Sequence, residues 1–365
     1  MIPAKIGFIG LGLIGGTLAK TVHRIYPELQ IVAYDTDAKA LNEPLLEKVI
    51  TKACTKIDDS FSDCQYIFLC APVKKNTAIL QTLSIYANAS CILTDVGSVK
   101  GSVHREIDRL SLNAYFIGGH PMAGSEKSGY ANATAFLLEN VYYIVTPGKE
   151  VPCQTVATFV DFISSLGAIP LLLDYAEHDF MTAAVSHLPH ILAASLVNLI
   201  QELDNSEETM KAIAAGGFKD ITRIASSSPA MWQEICLTNQ EQILKLLNAF
   251  IASLSRIKEE ISEKKETDIF SFFQSAKDYR DSIAVGKTGP ILAVYELYCD
   301  LIDEAGGIAT LATILASNRI NIKNIGILHN REFEEGVLRI ELYDKDALQR
   351  SIVLLRKYRY IVYER

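Results

Sequence analysis

Three things are scarce in this 365-residue sequence: long apolar runs, paired cysteines and net positive charge. No run approaches the roughly 18–20 apolar residues that a membrane helix needs, so a membrane-embedded chain is not expected. No Cys-x-x-Cys occurs, and no Cys/His spacing matches a structural zinc site, so no metal is expected. The 35 lysines and arginines are outnumbered by 43 aspartates and glutamates, for a net charge of −8. That balance argues against nucleic acid or an anionic membrane surface as a partner. Residues 174–285 hold only two prolines, Pro189 and Pro229, and two glycines, Gly216 and Gly217. The start, Met1-Ile2-Pro3-Ala4-Lys5, runs straight into a strand-like segment without a signal or transit pattern. A cytoplasmic location is therefore expected.

What is present suffices for well-filled cores. Hydrophobic residues make up 49% and charged residues 21%, which excludes global disorder and suits two or three domains. The seven cysteines, at positions 54, 64, 70, 91, 153, 236 and 299, are odd in number and scattered. All of them read as reduced core filler.

Three regions differ in texture. Residues 1–173 alternate helix-like segments with short β-branched runs at Lys5–Ile9, Ile31–Tyr34, Tyr66–Cys70, Cys91–Thr94, Ala114–Ile117 and Val141–Val145. The alternation predicts an α/β, doubly wound Rossmann-type domain. Residues 174–285 predict an all-α domain. Ser228-Pro229 starts a helix there, serine as cap and proline at the first helical position. Apolar residues at 243, 246, 247, 250, 254, 257 and 261 continue one stripe on a helix of about 50 Å. A helix so long rarely buries its stripe within one small domain, so packing against a second subunit, as a homodimer, is expected. The charged run Lys258–Glu266 reads as a solvated face. Gly286-Lys287-Thr288-Gly289-Pro290 forms a linker. Residues 293–365 then predict a third domain: strands near 294–302, 320–328, 336–343 and 358–364, helices near 307–317 and 345–356. That is the ferredoxin-like βαββαβ order.

Three motifs carry chemistry. Gly10-Leu11-Gly12-Leu13-Ile14-Gly15-Gly16 follows a strand and opens a helix. Gly10 permits a tight turn, Gly12 lets a pyrophosphate approach the backbone, and Gly15 lets helix and strand pack closely. The helix start offers free N–H groups and the positive end of its dipole to phosphates. The second strand ends in Asp35, an acceptor for a ribose 2′-hydroxyl that repels a 2′-phosphate. The candidate cofactor is therefore NAD, held by Gly10, Gly12, Leu13, Ile14, Gly15 and Asp35. Asp95-Val96-Gly97-Ser98-Val99-Lys100-Gly101 lies at the carboxyl end of a later strand, where doubly wound sheets place their crevice. Gly118-Gly119-His120-Pro121-Met122-Ala123-Gly124-Ser125 follows another strand and predicts an exposed turn that displays His120. An imidazole with an ordinary pKa of about 6.5 suits the removal of a hydroxyl proton during hydride transfer. His120 is the candidate base, with Ser98 placed to orient it or the hydroxyl.

Together these motifs resemble the prephenate dehydrogenase family of tyrosine biosynthesis. The resemblance continues through Ser186-His187-Leu188-Pro189-His190, through Gly216-Gly217-Phe218-Lys219-Asp220-Ile221-Thr222-Arg223-Ile224-Ala225 and to Met231-Trp232, spanning residues 1 to about 285. It implies hydride transfer from C4 of prephenate to NAD, loss of the C1 carboxylate as CO2, and 4-hydroxyphenylpyruvate as product. By the same resemblance His120 is the catalytic base and Ser98 its partner at the hydroxyl. Arg223 holds a substrate carboxylate, with Lys219 and Asp220 on the same wall. His190, with His187 beside it, reaches the substrate side chain where Pro189 bends the helix. A His-x-x-His zinc pair is the rival reading, and it lacks a third ligand. Trp232 packs near the site or fills the core.

Ser125, neutral at a position that influences substrate choice in the family, favours prephenate over arogenate, whose ammonium would gain from an acidic residue. Arogenate dehydrogenase and a catalytically silent dinucleotide sensor are the alternatives. Intact Ser98, His120 and Arg223 weigh against the sensor. The last region resembles an ACT domain, with Gly306, Gly307, Asn321 and Asn324 as candidate regulatory positions for an L-tyrosine effector. It departs from the ACT pattern at Asp303-Glu304-Ala305, where proline and arginine are missing. Feedback sensing and a purely structural dimerisation module are both open, the first preferred.

Overall fold

A computed structural model describes residues 3–88, 90–124, 127–283, 295–300, 306–328 and 337–364. The chain divides into two units, Met1–Tyr279 and Arg280–Arg365.

In the first unit β1 (Lys5–Ile9) and β2 (Gln30–Tyr34) flank helix α1 (Leu13–Ile25). A short α2 (Asn42–Leu46), β3 (Lys52–Cys54), β4 (Tyr66–Leu69), α3 (Val73–Tyr86) and β5 (Ile92–Asp95) follow. Their parallel sheet has the order β3-β2-β1-β4-β5. The direction of winding reverses between β1 and β4, and a crevice opens there at the carboxyl ends of the strands. Helix α4 (Gly101–Arg109), β6 (Ile117–Pro121), β7 (Tyr142–Pro147), α5 (Cys153–Ser165) and β8 (Ile169–Leu172) come next. β6 runs antiparallel to β7 and β8 parallel to it, and a parallel bridge from Leu93 to Phe116 ties this second sheet to β5. One face is filled by Phe8, Phe68, Phe159 and Phe162, with Phe8 and Phe68 stacked at 5.2 Å; the other by Leu80, Leu83, Val103 and Ile107.

The apolar run 114–117 predicts a strand ending where β6 begins. Asn113–Tyr115 instead forms a 3-10 turn, and the strand is Ile117–Pro121. His120 therefore sits in a strand rather than an exposed turn. Gly118 and Gly119 are strand residues because nothing larger fits: a Cβ on Gly119 would lie 2.7 Å from the Asp95 carbonyl and 2.5 Å from the Tyr143 hydroxyl. β3 and β8, of 3 and 4 residues, are absent from the pattern read in the sequence. Of the cysteines, Cys153 departs from the core-filler expectation: it is the first residue of α5 and is exposed there. Cys54, Cys64, Cys91 and Cys299 are buried.

The helical region starts with α6 (Tyr175–Thr182), which passes through a π-helical turn, Ala183–His187, into α7 (Leu188–Leu203). The helix thus runs unbroken across Pro189. By length and composition alone these 29 residues could cross a membrane, contrary to the expectation that no segment could. Helices α8 (Thr209–Ile213), α9 (Gly216–Thr222), α10 (Pro229–Thr238), α11 (Gln240–Ser262) and α12 (Glu266–Ser282) complete the region. Ser228 caps α10 with Pro229 at its first turn, as expected. The helix of about 50 Å does not form. Asn239 interrupts it, because its side chain turns inward to the Asp179 carbonyl and His187. The 23 residues of α11 span about 34 Å. The charged run does not decorate one helix face but ends α11 and turns into α12, with Lys264 in the left-handed region at φ 53°.

The second unit contains β9 (Tyr295–Asp300), α13 (Gly307–Ser317), β10 (Ile322–Leu328), β11 (Val337–Leu342), α14 (Lys345–Lys357) and β12 (Val362–Glu364). Its antiparallel sheet has the order β10-β11-β9-β12, with Leu297, Cys299, Leu311, Leu315, Ile340 and Leu355 in its core. The linker 286–290 and the Asp303–Ala305 segment lie outside the described residues.

The join between β1 and α1 leaves no room for a side chain at Gly15. Gly10 adopts φ +98°, and a Cβ on Gly15 would collide with the Gly10 carbonyl and lie 2.9 Å from Cβ of Cys70. Gly15→Val should lower the unfolding free energy by about 1–3 kcal/mol, as overpacking does, read as a lower midpoint in urea.

Candidate active site

The cofactor end is built by the turn from β1 into α1. The first intrahelical bond runs from the Gly16 N–H to the Gly12 carbonyl at 2.9 Å. The amides of Leu13, Ile14 and Gly15 are therefore not used by the helix, and no side chain caps them. A Cβ on Gly12 would meet nothing within 4 Å, so the space over these amides is open. Asp35 sits just beyond β2. One carboxylate oxygen accepts from the Leu11 N–H at 2.9 Å and the other from the Asp37 N–H at 2.9 Å. It thereby holds the glycine turn in place while lone pairs remain for a hydroxyl. An uncapped helix start, a glycine cradle and a strand-end carboxylate fit a dinucleotide.

The reactive end is organised around buried charge. Asp95 and Lys100 are both fully buried, and Lys100 Nζ donates to Asp95 Oδ2 at 2.5 Å and to the Gly119 carbonyl at 2.6 Å. Burial pulls the Lys100 pKa down, and Asp95 opposes it. Asp95 also accepts from the Gly97 N–H and, at 3.3 Å, from the Gly119 N–H. This pair therefore fixes β6, and with it His120, against the loop that carries Ser98. Asp179, on α6, accepts from the amides of Lys100 and Gly101, each at 2.7 Å, and lies 2.9 Å from His178 Nδ1. His178 Nε2 lies 2.8 Å from His120 Nδ1. Burial first, then His178, Lys100 and His187, holds the His120 pKa well below its ordinary value.

A second histidine cluster comes from the π-helical turn and α7. Asn239 Nδ2 donates to the Asp179 carbonyl at 2.8 Å and lies 3.2 Å from His187 Nδ1, so that nitrogen accepts and His187 Nε2 carries the hydrogen. Among the described residues, His187 Nε2 is buried without a hydrogen-bond partner, as is Trp232 Nε1. Burial lowers the His187 pKa to about 4. His190 donates from Nδ1 to the Ser186 carbonyl at 2.9 Å and stacks on Trp232 at 3.8 Å. Burial lowers its pKa, and the charge of Arg223 adds to the shift.

The structure thus brings together His120, His187, His190 and Trp232, and sets Arg223 close enough to His190 to be felt. Arg223 is the first residue of a 3-10 turn after α9. Lys219 and Asp220 are exposed on α9 and make no hydrogen bond to these histidines. Ser98 is partly buried in its loop; the group on His120 Nδ1 is His178, so of the two roles expected of Ser98, orienting His120 or the hydroxyl, the first is taken at that nitrogen by His178. Ser125 lies outside the described residues. In the second unit Gly306, at φ +93°, precedes α13 with Gly307 at its first position. Asn321 and Asn324 are exposed around the start of β10, and Asn324 Oδ1 accepts from the Ile325 N–H. Sequence reasoning missed His178, Asp179 and Asn239. The sequence offered only an adjacent His178-Asp179 pair, with no local sign of the partners it reaches.

Residues 18–171 match the family described as prephenate dehydrogenase, nucleotide-binding domain, and residues 174–275 the one described as prephenate dehydrogenase, dimerization domain. The chain is 38% identical over 344 residues to the prephenate dehydrogenase of Bacillus subtilis (strain 168), covering 94% of this chain and 93% of that protein. It is 31% identical over 357 residues to the prephenate dehydrogenase of Lactococcus lactis subsp. cremoris (strain MG1363), covering 97% and 98%. Among solved structures, prephenate dehydrogenase from A. aeolicus in complex with hydroxyphenyl propionate and NAD+ superposes with a TM-score of 0.73 at 30% identity, covering 78% of this chain and 99% of that one. Synechocystis arogenate dehydrogenase gives a TM-score of 0.69 at 26% identity, covering 77% and 100%.

Removing Lys100 should be costly because Asp95 would keep its buried charge without a partner. Lys100→Met is expected to lose about 3–5 kcal/mol in urea denaturation, and adding Asp95→Asn should recover a large part.

Proposed function

This chain belongs to the prephenate dehydrogenase family, and from that premise we propose how its residues divide the work. The activity is the NAD-dependent oxidative decarboxylation of prephenate to 4-hydroxyphenylpyruvate. The observation that carries the assignment of roles is local. His120 has one ring nitrogen engaged by His178, while His187 presents a buried N–H without a partner among the described residues.

The nicotinamide, when bound, supplies the acceptor for the C4 hydride. Gly10, Gly12, Leu13, Ile14 and Gly15 hold the pyrophosphate, and Asp35 takes the ribose hydroxyl. His120 accepts the proton of the C4 hydroxyl at Nε2 as C4 becomes a carbonyl. The bond from C1 to its carboxylate then breaks, CO2 leaves and the electron pair aromatises the ring. His120 returns the proton to the C4 oxygen. Ser98 donates to that oxygen from the loop after β5. Arg223 meets a substrate carboxylate with its two-pronged donor face, and Lys219 and Asp220 shape the same wall.

His187, with Nε2–H free, donates to an oxygen of the side chain. His190 presents a lone pair at Nε2, since its hydrogen goes to Ser186, so of the two histidines expected to reach the substrate side chain it is His187 that can donate. Prephenate remains the favoured substrate over arogenate on the neutrality of Ser125.

Two further roles rest on the rest of the chain. Exposed Leu244, Ile251, Leu254, Ile261, Phe270 and Phe273 on α11 and α12 form the contact with a second copy, in keeping with the matched dimerization domain. The βαββαβ unit acts as an ACT-like sensor of L-tyrosine. It is supported by the order β10-β11-β9-β12 and by the start of α13, where a Cβ on Gly306 would meet nothing within 4 Å among the described residues.

His120→Asn should reduce turnover by about 10²–10⁴-fold, with NAD+ binding by calorimetry unchanged. Because the His120 pKa is lowered, its neutral, accepting form persists as pH falls through 6.5. The acid limb of kcat/KM should therefore lie below 6.5, and a limb at or above that value contradicts the assignment. L-Tyrosine should give binding heat and slow NADH formation at 340 nm. If it does neither, the second unit is structural.

A further inference from the structure

We propose that His178 and Asp179 are positioning residues of this reaction, holding His120 in the one tautomer whose Nε2 can take a proton. The proposal rests on the reading of His120 as proton acceptor and explains what makes it one.

The relay begins at groups with no choice. The backbone N–H groups of Lys100 and Gly101 can only donate, and both point at Asp179, one at each oxygen, at 2.7 Å. Both oxygens therefore accept, and Asp179 is a carboxylate. Burial alone would raise its pKa, yet His178 and the two amides bring it below the ordinary value. Its Oδ1 also faces His178 Nδ1 at 2.9 Å, so that nitrogen carries the hydrogen. His178 is completely buried and burial disfavours its charged form, so its Nε2 is a lone pair. The lone pair faces His120 Nδ1 at 2.8 Å, which must donate. A neutral imidazole has one N–H. His120 Nε2 is then bare and makes no hydrogen bond among the described residues.

The links run from two amides at the start of α4 through Asp179 to His178, whose neutrality is set by its burial. The rings of His120 and His178 meet nearly edge to face, at 73° and 5.1 Å, which suits a hydrogen bond in the plane of each donor and acceptor. Asp179 is supported from the other side by Gly101, where a Cβ would lie 2.8 Å from Oδ2.

The relay also acts during the reaction. When the substrate O–H bond breaks and the Nε2–H bond forms, positive charge appears on His120. Its Nδ1–H still donates to His178, whose ring is polarised by the Asp179 carboxylate. That interaction strengthens only while His120 is a cation, so it belongs to the transition state and lowers the barrier without tightening ground-state binding. His178 and Asp179 touch neither substrate nor cofactor in this reading.

Histidine nitrogen correlation spectra of the resting, uniformly labelled enzyme test the tautomer directly. There are seven histidines, and the signal lost in His120→Asn identifies the one in question. The expected result is a hydrogen on Nδ1 and none on Nε2 of His120. A hydrogen on Nε2 overturns the proposal, and this holds even if variants fold poorly.

Kinetics give the second arm. His178→Leu should lower kcat by about 100-fold or more with KM for prephenate and NAD+ changed less than about threefold. His178→Gln places an amide oxygen near the lost Nε2 as an acceptor for His120, and should recover about tenfold of kcat. Equal losses in the two variants, or a loss carried by KM, would mean a merely structural role. If His120→Asn itself kept turnover, the base assignment would fall; if it lost turnover while His178→Leu did not, only the relay would fall.

Discussion

One carboxylate, accepting two amides and an imidazole, is what the rest of the active site hangs from. Asp179 belongs to the helical region, and the amides it accepts belong to the loop and helix start that follow β5. Burying that charge would cost several kcal/mol if nothing met it. Three donors meet it, each hydrogen bond to a charged group contributing about 1.5–3 kcal/mol. The start of α4 adds the positive end of its dipole. Nearby, Asp95 is met by the buried Lys100. Two buried carboxylates thus divide one residue between them: Asp95 accepts from the Lys100 ammonium, and Asp179 from the Lys100 and Gly101 amides. Loss of any single partner exposes an imbalance that the low-dielectric surroundings amplify.

The same helix that carries Asp179 also spaces the histidines. His178 lies on α6, His187 closes the π-helical turn and His190 follows on α7. A π turn inserts an extra residue per turn, so it rotates the side chains of α7 relative to those of α6. Proline at 189 has no N–H, so the carbonyl four residues earlier loses its usual donor, and the π turn falls across that gap. Asn239 bridges the two parts by binding the Asp179 carbonyl and His187. The interruption between α10 and α11 is the backbone consequence of turning that side chain inward. Trp232 closes the cluster by stacking on His190.

Local chemistry with a strong pattern was legible from residues alone: the glycine turn, the strand-end Asp35, the Ser228-Pro229 helix start and the βαββαβ order of the last region. The losses have physical causes. β3 and β8 are too short to show a period. His120 looked like a turn residue because Gly118 and Gly119 flank it, yet those glycines serve close packing of β6 on Asp95 and Tyr143. The break at Asn239 is invisible because the apolar spacing continues past it; only a tertiary partner reveals it. Asp179 and His178 are adjacent, and neighbours in a helix sequence point different ways, so nothing local signals that one reaches an amide from α4 and the other His120. A bend at Pro189 was legible; that the helix accommodates it through a π turn at Ala183–His187 was not.

The overall reaction explains why so enclosed a base is serviceable. Prephenate is a dianion and the nicotinamide ring of NAD+ carries one positive charge; 4-hydroxyphenylpyruvate is a monoanion, CO2 is neutral, and the ring becomes neutral on accepting the hydride. Counted over the cycle, no proton is released or consumed. Oxidation of an ordinary alcohol frees a proton that must reach solvent. Here the hydroxyl proton is lent to His120 and returned to the same oxygen once the ring is aromatic. A base that only lends needs no route to water, and it gains from being neutral at rest. Burial that holds the His120 pKa down keeps it ready to accept. Its weakness as a base is offset while it is charged by the line of hydrogen bonds that ends in the Asp179 carboxylate. It is relieved when decarboxylation makes the C4 oxygen the stronger base and takes the proton back.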